Sequence, residues 1–310
     1  MEKLVVNKAR NAKKVNVKDL IFCILLLIWP TLQFLVFYVG VNFNSFLLMF
    51  QTIDLNETTN AIHLSWSSFV NNFNECKVII TQYFPSMIKN TFIYWAVGVG
   101  IGSPLGLLFS YYIFKKLYGS SFFRVILYLP QIISGLILVL LYKIFIDFPF
   151  SKDIMHVSSI FGSTNSKLIM FMIIIFNIWS SFGTSVLMYA NAMSSISQEV
   201  LEAAQLDGAK GIREFIHIVF PMIFSTWSVF FVTSIATFFT NQANLYSFFG
   251  LNCDSEIQTI GYYMFSRLKQ QGAVTWYPKL ALLGIILSLI AIPITLLIRK
   301  LLEKYGPSSK

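Results

Sequence analysis

The sequence predicts an all-α integral membrane protein with six transmembrane helices. Of its 310 residues, 56% are hydrophobic and only 12% are charged, whereas about 25% of the residues of a soluble domain are charged. The mean hydropathy is +0.68. A single soluble core stops growing at about 250–300 residues and could not bury this much apolar surface. These values argue against a disordered chain and against a soluble enzyme.

Six stretches are apolar and close to the length of about 20 residues that a helix needs to cross a bilayer. In chain order they cover residues 20–41, 91–114, 125–146, 168–193, 218–240 and 280–298. The first stretch follows a basic leader in residues 1–19 and resembles a secretory signal peptide in that respect. Its apolar run exceeds the usual ~7–15 residues and no cleavage motif follows, so we expect an uncleaved first helix.

The distribution of Lys and Arg predicts that both termini face the cytoplasm. With the N-terminus inside, 15 of the 23 basic residues are cytoplasmic: six in the leader, three after the second span, two after the fourth and four at the C-terminus. This bias follows the positive-inside rule, so the net charge of +9 indicates cytoplasmic loops rather than a nucleic-acid partner. Residues 42–90 and 241–279 are then extracellular insertions, and Cys76 and Cys253 could form a disulfide between them.

The loop between the fourth and fifth spans, residues 195–221, is predicted to fold as a helix, a break and a second helix. Residues 199–206 are good helix formers, and Gly208 can adopt the left-handed conformation that ends a helix. The second helix carries three apolar residues on one face: Ile212, Phe215 and Ile216. By pattern alone, an amphipathic surface hairpin without any partner fits equally well.

The literal sequence of this loop resembles the EAA loop of permease subunits in bacterial binding-protein-dependent ABC importers. The matching positions are Glu202-Ala203-Ala204, Asp207-Gly208-Ala209, Phe215, Ile218 and Pro221. Two positions depart from the family pattern, because Phe220 stands where Leu is usual and Ser197 where Pro is common. Neither departure removes a charge or the glycine.

Other segments resemble the carbohydrate-uptake, maltose-type branch of this family, and the likeness extends over residues 85–307. They are Asn90-Thr91, Phe122-Phe123-Arg124, Leu129-Pro130, Asn177-Ile178-Trp179 and the stretches 258–263 and 302–307. The resemblance implies a type I importer permease fold in the inner membrane of a bacterium. Its transmembrane core would be residues 85–307, preceded by the first helix and the insertion (20–84) and followed by a short tail (308–310).

The resemblance also implies partners. In this family two permease subunits form the pore, two ATPase subunits bind beneath it, and an extracellular solute-binding protein delivers the sugar or oligosaccharide. The chain has no G-x-x-x-x-G-K-[ST] loop to cradle phosphates. We therefore expect no catalytic residue, metal or cofactor in this chain, with ATP and Mg²⁺ bound by the ATPase and a second permease completing a heterodimer in the lipid.

Within the loop, the resemblance assigns coupling to the ATPase to seven residues: Glu202, Ala203, Ala204, Asp207, Gly208, Phe215 and Pro221. Glu202 would offer a carboxylate to basic groups of the ATPase, the two alanines would allow close approach, and Gly208 would permit the sharp turn. Closure of the ATPase would move the loop and switch the pore between inward-facing and outward-facing states.

Polar residues on the fourth and fifth spans predict a substrate path. Each set lies on one helical face: Asn177, Ser180, Ser181, Thr184 and Ser185, then Thr233, Ser234, Thr237, Thr240 and Asn241. Serine and threonine also join helices in membranes, so the pattern alone leaves both roles open. Because related permeases contact sugar on these two helices, the resemblance favours Ser181, Thr184, Ser234, Thr237, Phe238 as a stacking ring, Asn241, and more weakly Gln131.

Alternatives remain at this stage. The solute could be glycerol phosphate, phosphate or an amino acid rather than a sugar. An ion-coupled secondary transporter would need intramembrane ionisable residues and inverted repeats, and the one ionisable candidate is Lys143 near the outer end of the third span. A membrane-embedded enzyme would need a catalytic cluster, which the isolated histidines and acids do not form.

Overall fold

The computed structural model describes residues 17–54, 61–147, 159–162 and 164–307. Most of the predicted leader and the predicted tail at 308–310 lie outside the described residues. The first helix, α1 (Leu20–Leu48), extends beyond the predicted end at residue 41 and includes a π-helical turn at Phe34–Gly40. None of the residues in the most apolar part of α1 is buried by the rest of this chain.

The insertion after α1, whose fold the sequence does not determine, contains a small antiparallel hairpin. Strands β1 (Gln51–Asp54) and β2 (Ala61–Leu64) pair with Gln51 opposite Leu64. Helix α2 (Trp66–Gln82) follows, with the Ser65 side chain accepting a hydrogen bond from the Ser68 N–H at its start. The buried Asn72 amide donates to the carbonyls of Met49 and Gln51, both at 3.0 Å, and so joins α2 to the hairpin.

The second span, α3 (Phe84–Phe114), begins at Phe84 rather than at residue 91 and contains a π-helical turn at Gly98–Gly102. The predicted third span at 125–146 is not one straight helix, because the structure has two helices there, α4 (Ser120–Ile132) and α5 (Gly135–Phe145), bent by 110°. Ile133 and Ser134 between them have extended ψ angles of 140° and 132°, which interrupt the helix. If this bent pair forms one crossing, the described residues supply six spans in all.

The fourth span is α6 (Ser166–Ser194), and a short helix, α7 (Gln198–Leu206), follows it. The predicted second loop helix and the predicted fifth span are in fact one helix, α8 (Ile212–Ala236), joined by a π-helical turn at Phe215–Val219. A π turn adds a residue and rotates the helical face. Phe215 is buried while Ile212 and Ile216 are exposed, so the predicted common apolar face is wrong.

The chain closes with two short helices, α9 (Leu245–Phe249) and α10 (Ile260–Lys269), and the last span, α11 (Ala273–Tyr305). The amide of Asn90 on α3 donates to the carbonyls of Glu256 and Gln258, and thereby fixes the segment before α10. Cys76 and Cys253 are both free thiols in separate buried clusters, so they form no disulfide here.

Candidate functional site

A cavity of about 400 Å³ opens between α3, α6 and α8. Five of the seven predicted path residues line it: Ser181, Thr184, Ser234, Thr237 and Asn241. They are brought together because α6 and α8 each turn one polar face toward the same space. The hydroxyls of Ser181, Ser234 and Thr237 also donate to carbonyls within their own helices, at 2.7–3.4 Å, which leaves each oxygen able to accept a hydrogen bond.

The two remaining predicted residues lie outside this cavity lining. Gln131 is exposed at the contact between α4 and α6, where its side-chain amide donates to the Ser180 carbonyl at 2.6 Å. Phe238 is not among the residues that line the cavity, and its ring meets that of Trp95 edge-on, with 6.0 Å between centroids. Its ring therefore supports Trp95 and is not itself part of the wall.

An aromatic wall was not identified from the sequence. It consists of Tyr94, Trp95, Tyr189, Phe230 and Phe231. The indole N–H of Trp95 donates to the Ser234 hydroxyl at 3.2 Å, which joins α3 to α8 across the cavity. One sequence feature could have pointed to this wall. The pattern Gly98-x-Gly100-x-Gly102 begins one turn after Trp95, and two of its glycines, Gly98 and Gly102, also line the cavity.

A second cavity of about 450 Å³ shares Thr237, Asn241 and Ala243 with the first and lies at the C-terminal end of α8. Its wall includes a turn with two non-glycine residues of positive φ, Ala243 at 49° and Asn244 at 58°. Asn177 holds this turn, since its amide donates to the Ala243 carbonyl at 3.0 Å and its oxygen accepts from the Asn244 amide at 2.7 Å. Among the described residues, those lining the two cavities carry no formal charge.

The predicted coupling loop forms a compact elbow, residues 198–215. At the end of α7, Gly208 has a φ of +82°, as predicted for a left-handed helix end. The N–H groups of Gly208 and Ala209 donate to the carbonyls of Gln205 and Ala204, at 3.1 and 2.9 Å. These two bonds form a Schellman motif, which fixes the direction in which the chain leaves the helix.

The elbow separates the predicted coupling residues into two groups. Glu202, Ala203, Asp207 and Gly208 are exposed, while Ala204 and Phe215 are buried within this chain and Pro221 is half-buried. Ala204 therefore packs against other residues of this chain, rather than against an ATPase as expected. Two large apolar side chains are also exposed on the elbow, Leu206 at 88% and Ile212 at 70%.

Residues 98–305 match the family of binding-protein-dependent transport system inner membrane components. The chain belongs to this family. The match includes the elbow and most of the cavity-lining residues. It confirms the predicted family, the multi-pass location in the inner membrane and the role of the chain as a transport component.

Relatives in this family include permeases of two transport systems. The permease protein of the sn-glycerol-3-phosphate transport system of Yersinia pestis is 28% identical over 162 residues, covering 51% of this chain and 55% of that protein. A probable starch degradation products transport system permease of Thermoanaerobacterium thermosulfurigenes is 30% identical over 147 residues, covering 46% and 50%. In these alignments the chain spans about half the length of the relatives it matches.

A solved structure shares the fold over nearly the whole chain. It is the crystal structure of a bacterial ABC transporter involved in the import of the acidic polysaccharide alginate. The likeness has a TM-score of 0.71 at 20% identity and covers 98% of this chain and 99% of that chain. It confirms the predicted permease fold.

Proposed function

We propose that this family member is a pore-forming permease subunit of an ATP-driven importer of a neutral sugar or oligosaccharide. The observation that carries the proposal is the uncharged cavity lined by hydroxyl, amide and aromatic groups on three spans. Sugars present hydroxyl groups and apolar C–H faces, and such a wall offers hydrogen bonds to the first and ring surfaces to the second. The starch-products permease among the relatives supports the same solute class.

Glycerol phosphate is the second candidate, because a relative serves an sn-glycerol-3-phosphate transport system. A phosphate group is bound most strongly by Arg, Lys or several backbone N–H groups. The described lining of both cavities carries neither Arg nor Lys. The lining therefore favours the neutral sugar.

The partners follow from the elbow. Its exposed Glu202 and Asp207, beside the apolar Leu206 and Ile212, form a surface suited to a cleft with basic and apolar groups. We assign this surface to a separate ATPase subunit that binds ATP and Mg²⁺. A second permease and an extracellular solute-binding protein would complete the importer, with two ATPase subunits in all.

The test is uptake by the assembled complex in proteoliposomes with its own solute-binding protein. We expect ATP-dependent uptake of a labelled maltooligosaccharide and little uptake of glycerol 3-phosphate. Trp95→Ala should raise the half-saturating sugar concentration about tenfold, which corresponds to about 1.4 kcal/mol of lost ring contact. Uptake of glycerol 3-phosphate in place of the sugar would refute the proposed solute class.

A matched control is available on α1. Trp29 is exposed and lies outside the cavity lining, so Trp29→Ala removes an indole without altering the cavity. Equal effects of the Trp29 and Trp95 substitutions would contradict a specific role for the aromatic wall.

A further inference from the structure

An ion pair with a buried carboxylate joins the elbow to α3, and neither the sequence pattern nor the family resemblance assigns it a role. Glu214, in the first turn of α8, is only 2% exposed, and its Oε1 lies 2.5 Å from the Nζ of Lys115. Lys115 directly follows the last residue of α3 and caps that helix, and its side chain is 23% exposed. The pair therefore joins the end of one span to the beginning of another.

Two further contacts join the same parts of the chain. The hydroxyl of Tyr111, one turn before Lys115, donates to the Gly211 carbonyl at 3.1 Å. The Tyr111 ring also lies 5.2 Å from the ring of Phe215, centroid to centroid. The last turn of α3 thus holds the elbow through a charge pair, a hydrogen bond and a ring contact.

Unlike the apolar contacts around it, the ion pair allows only one position of α3 relative to the elbow. Leu201, Phe215 and Tyr189 belong to one buried apolar cluster, and apolar contacts can slide with little cost while the area stays buried. A buried carboxylate cannot leave its cation without becoming an uncompensated charge. The Lys115–Glu214 pair consequently fixes one register between α3 and the elbow.

Both helices that meet at this pair also form walls of the cavity. From Lys115, α3 runs back to the cavity, which is lined by Ser103, by Gly98 and Gly102 of the π-helical turn, and by Trp95. From Glu214, α8 runs forward to Ser234 on the opposite wall. The elbow is continuous with α6 and with α8 through the backbone, whereas the contacts that join it to α3 are made by the side chains of Tyr111 and Lys115.

We propose that Lys115 and Glu214 are positioning residues that make α3 follow the elbow during the transport cycle, so that the two cavity walls move together. This inference rests on the proposed function as an ATP-driven importer. Without the pair, α3 would be held to the elbow only by the Tyr111 hydrogen bond and ring contact, and movement of the elbow would be transmitted mainly to α6 and α8, which continue it through the backbone. ATP hydrolysis would then continue while its response to solute is lost.

The experiment uses the assembled complex in proteoliposomes and measures solute-stimulated ATP hydrolysis together with uptake. Lys115→Glu and Glu214→Lys should each reduce uptake per ATP hydrolysed at least about tenfold, since each places two like charges together. The exchanged double variant, Lys115→Glu with Glu214→Lys, should restore most of the coupling. Failure of the exchange to restore coupling in an assembled complex would overturn the proposal.

A neutral double variant covers the case in which the single variants fail to assemble. Lys115→Met with Glu214→Gln keeps the side-chain volumes and leaves no unpaired buried charge, so we expect it to fold. Its uptake per ATP should still fall, because the register is no longer fixed. Coupling equal to that of the unaltered complex would show that the pair serves folding alone and would overturn the proposal.

The matched control is the ion pair of Arg299 and Glu303 on α11, which has a similar length of 2.8 Å but is 63% exposed at both side chains. Reversing either charge there should leave coupling unchanged. A loss as large as that at Lys115 would overturn the assignment to this pair. Absence of ATP-dependent uptake by the unaltered complex would refute the proposed function itself, and this inference with it.

Discussion

At the scale of single residues, Gly261 is held closely against a neighbouring turn. A Cβ added there would lie 2.6 Å from the carbonyl carbon and oxygen of Thr240 and 2.7 Å from the carbonyl carbon of Asn241. These are backbone atoms, which cannot rotate away as a side chain can. The same turn lines the second cavity, so the contact connects the start of α10 to the candidate solute path.

We therefore expect Gly261→Ala to lower stability by about 1–3 kcal/mol, the usual cost of overpacking, and to weaken sugar uptake. Gly284→Ala is the control, because its added Cβ would meet only the flexible end of Met264 at 3.8 Å. Thermal denaturation of the purified complexes, followed by intrinsic fluorescence, measures the difference. Equal midpoints for the two variants would contradict the close packing at Gly261.

The sequence indicated part of the site at this scale and missed the rest for a physical reason. Ser181 and Ser234 are conspicuous because a polar residue in an apolar helix needs an explanation. Trp95 is not conspicuous, since the residues next to it in the sequence are apolar whether its ring faces a cavity or faces lipid. Glu214 resembled one more solvated charge in a loop of mixed charge, and its cation is Lys115, 99 positions earlier.

At the scale of elements, the breaks in helices decide where the side chains point. Helical periodicity predicted the long spans well, because a run of apolar residues has few alternatives in a membrane. It could not reveal the π-helical turn at Phe215–Val219 or the bend between α4 and α5. Both depend on packing with distant helices, and a single extra residue changes the face of everything that follows it.

The end of α7 was predicted correctly from one residue, Gly208, and it supports a testable prediction. Gly208 has a φ of +82° with open space around its missing Cβ, so a substitution there is opposed by the backbone alone. Alanine costs about 1–2 kcal/mol in this conformation, whereas asparagine tolerates it better. We expect Gly208→Ala to reduce uptake per ATP and Gly208→Asn to reduce it less.

Gly272 provides the control for that experiment. Its φ of +75° and open surroundings match those of Gly208, but it precedes α11 at the end of the molecule away from the elbow. Gly272→Ala should therefore impose a similar strain without altering coupling. Equal losses of coupling at the two glycines would mean that general destabilisation, and not the shape of the elbow, causes the effect.

At the scale of the whole molecule, the elbow and the β1–β2 insertion lie at opposite ends of the bundle. Helix α3 connects them, with Asn90 near the insertion side and Lys115 at the elbow. At 1.5 Å per residue these two residues are about 37 Å apart, which is enough to cross the hydrocarbon core of about 30 Å. The excess of Lys and Arg predicts that the elbow end faces the cytoplasm.

Labelling with a membrane-impermeant maleimide tests this orientation. Leu206→Cys on the elbow and Asn74→Cys on α2 place thiols at exposed positions on opposite sides. We expect Asn74→Cys to react in right-side-out vesicles and Leu206→Cys to react only in inside-out vesicles. The unaltered chain is the background control, because burial raises the pKa of Cys76 to about 11 and that of Cys253 to about 12.

Those raised pKa values keep the two native thiols protonated at pH 7, and it is the thiolate that reacts with maleimide. Cys23, the third native thiol, lies within the membrane-spanning α1 and is screened from a water-soluble reagent by lipid. Labelling of Leu206→Cys in right-side-out vesicles would place the elbow outside the cell. An ATPase that uses cytoplasmic ATP could then not reach Glu202 or Gly208, and the proposed coupling would fail whatever the solute.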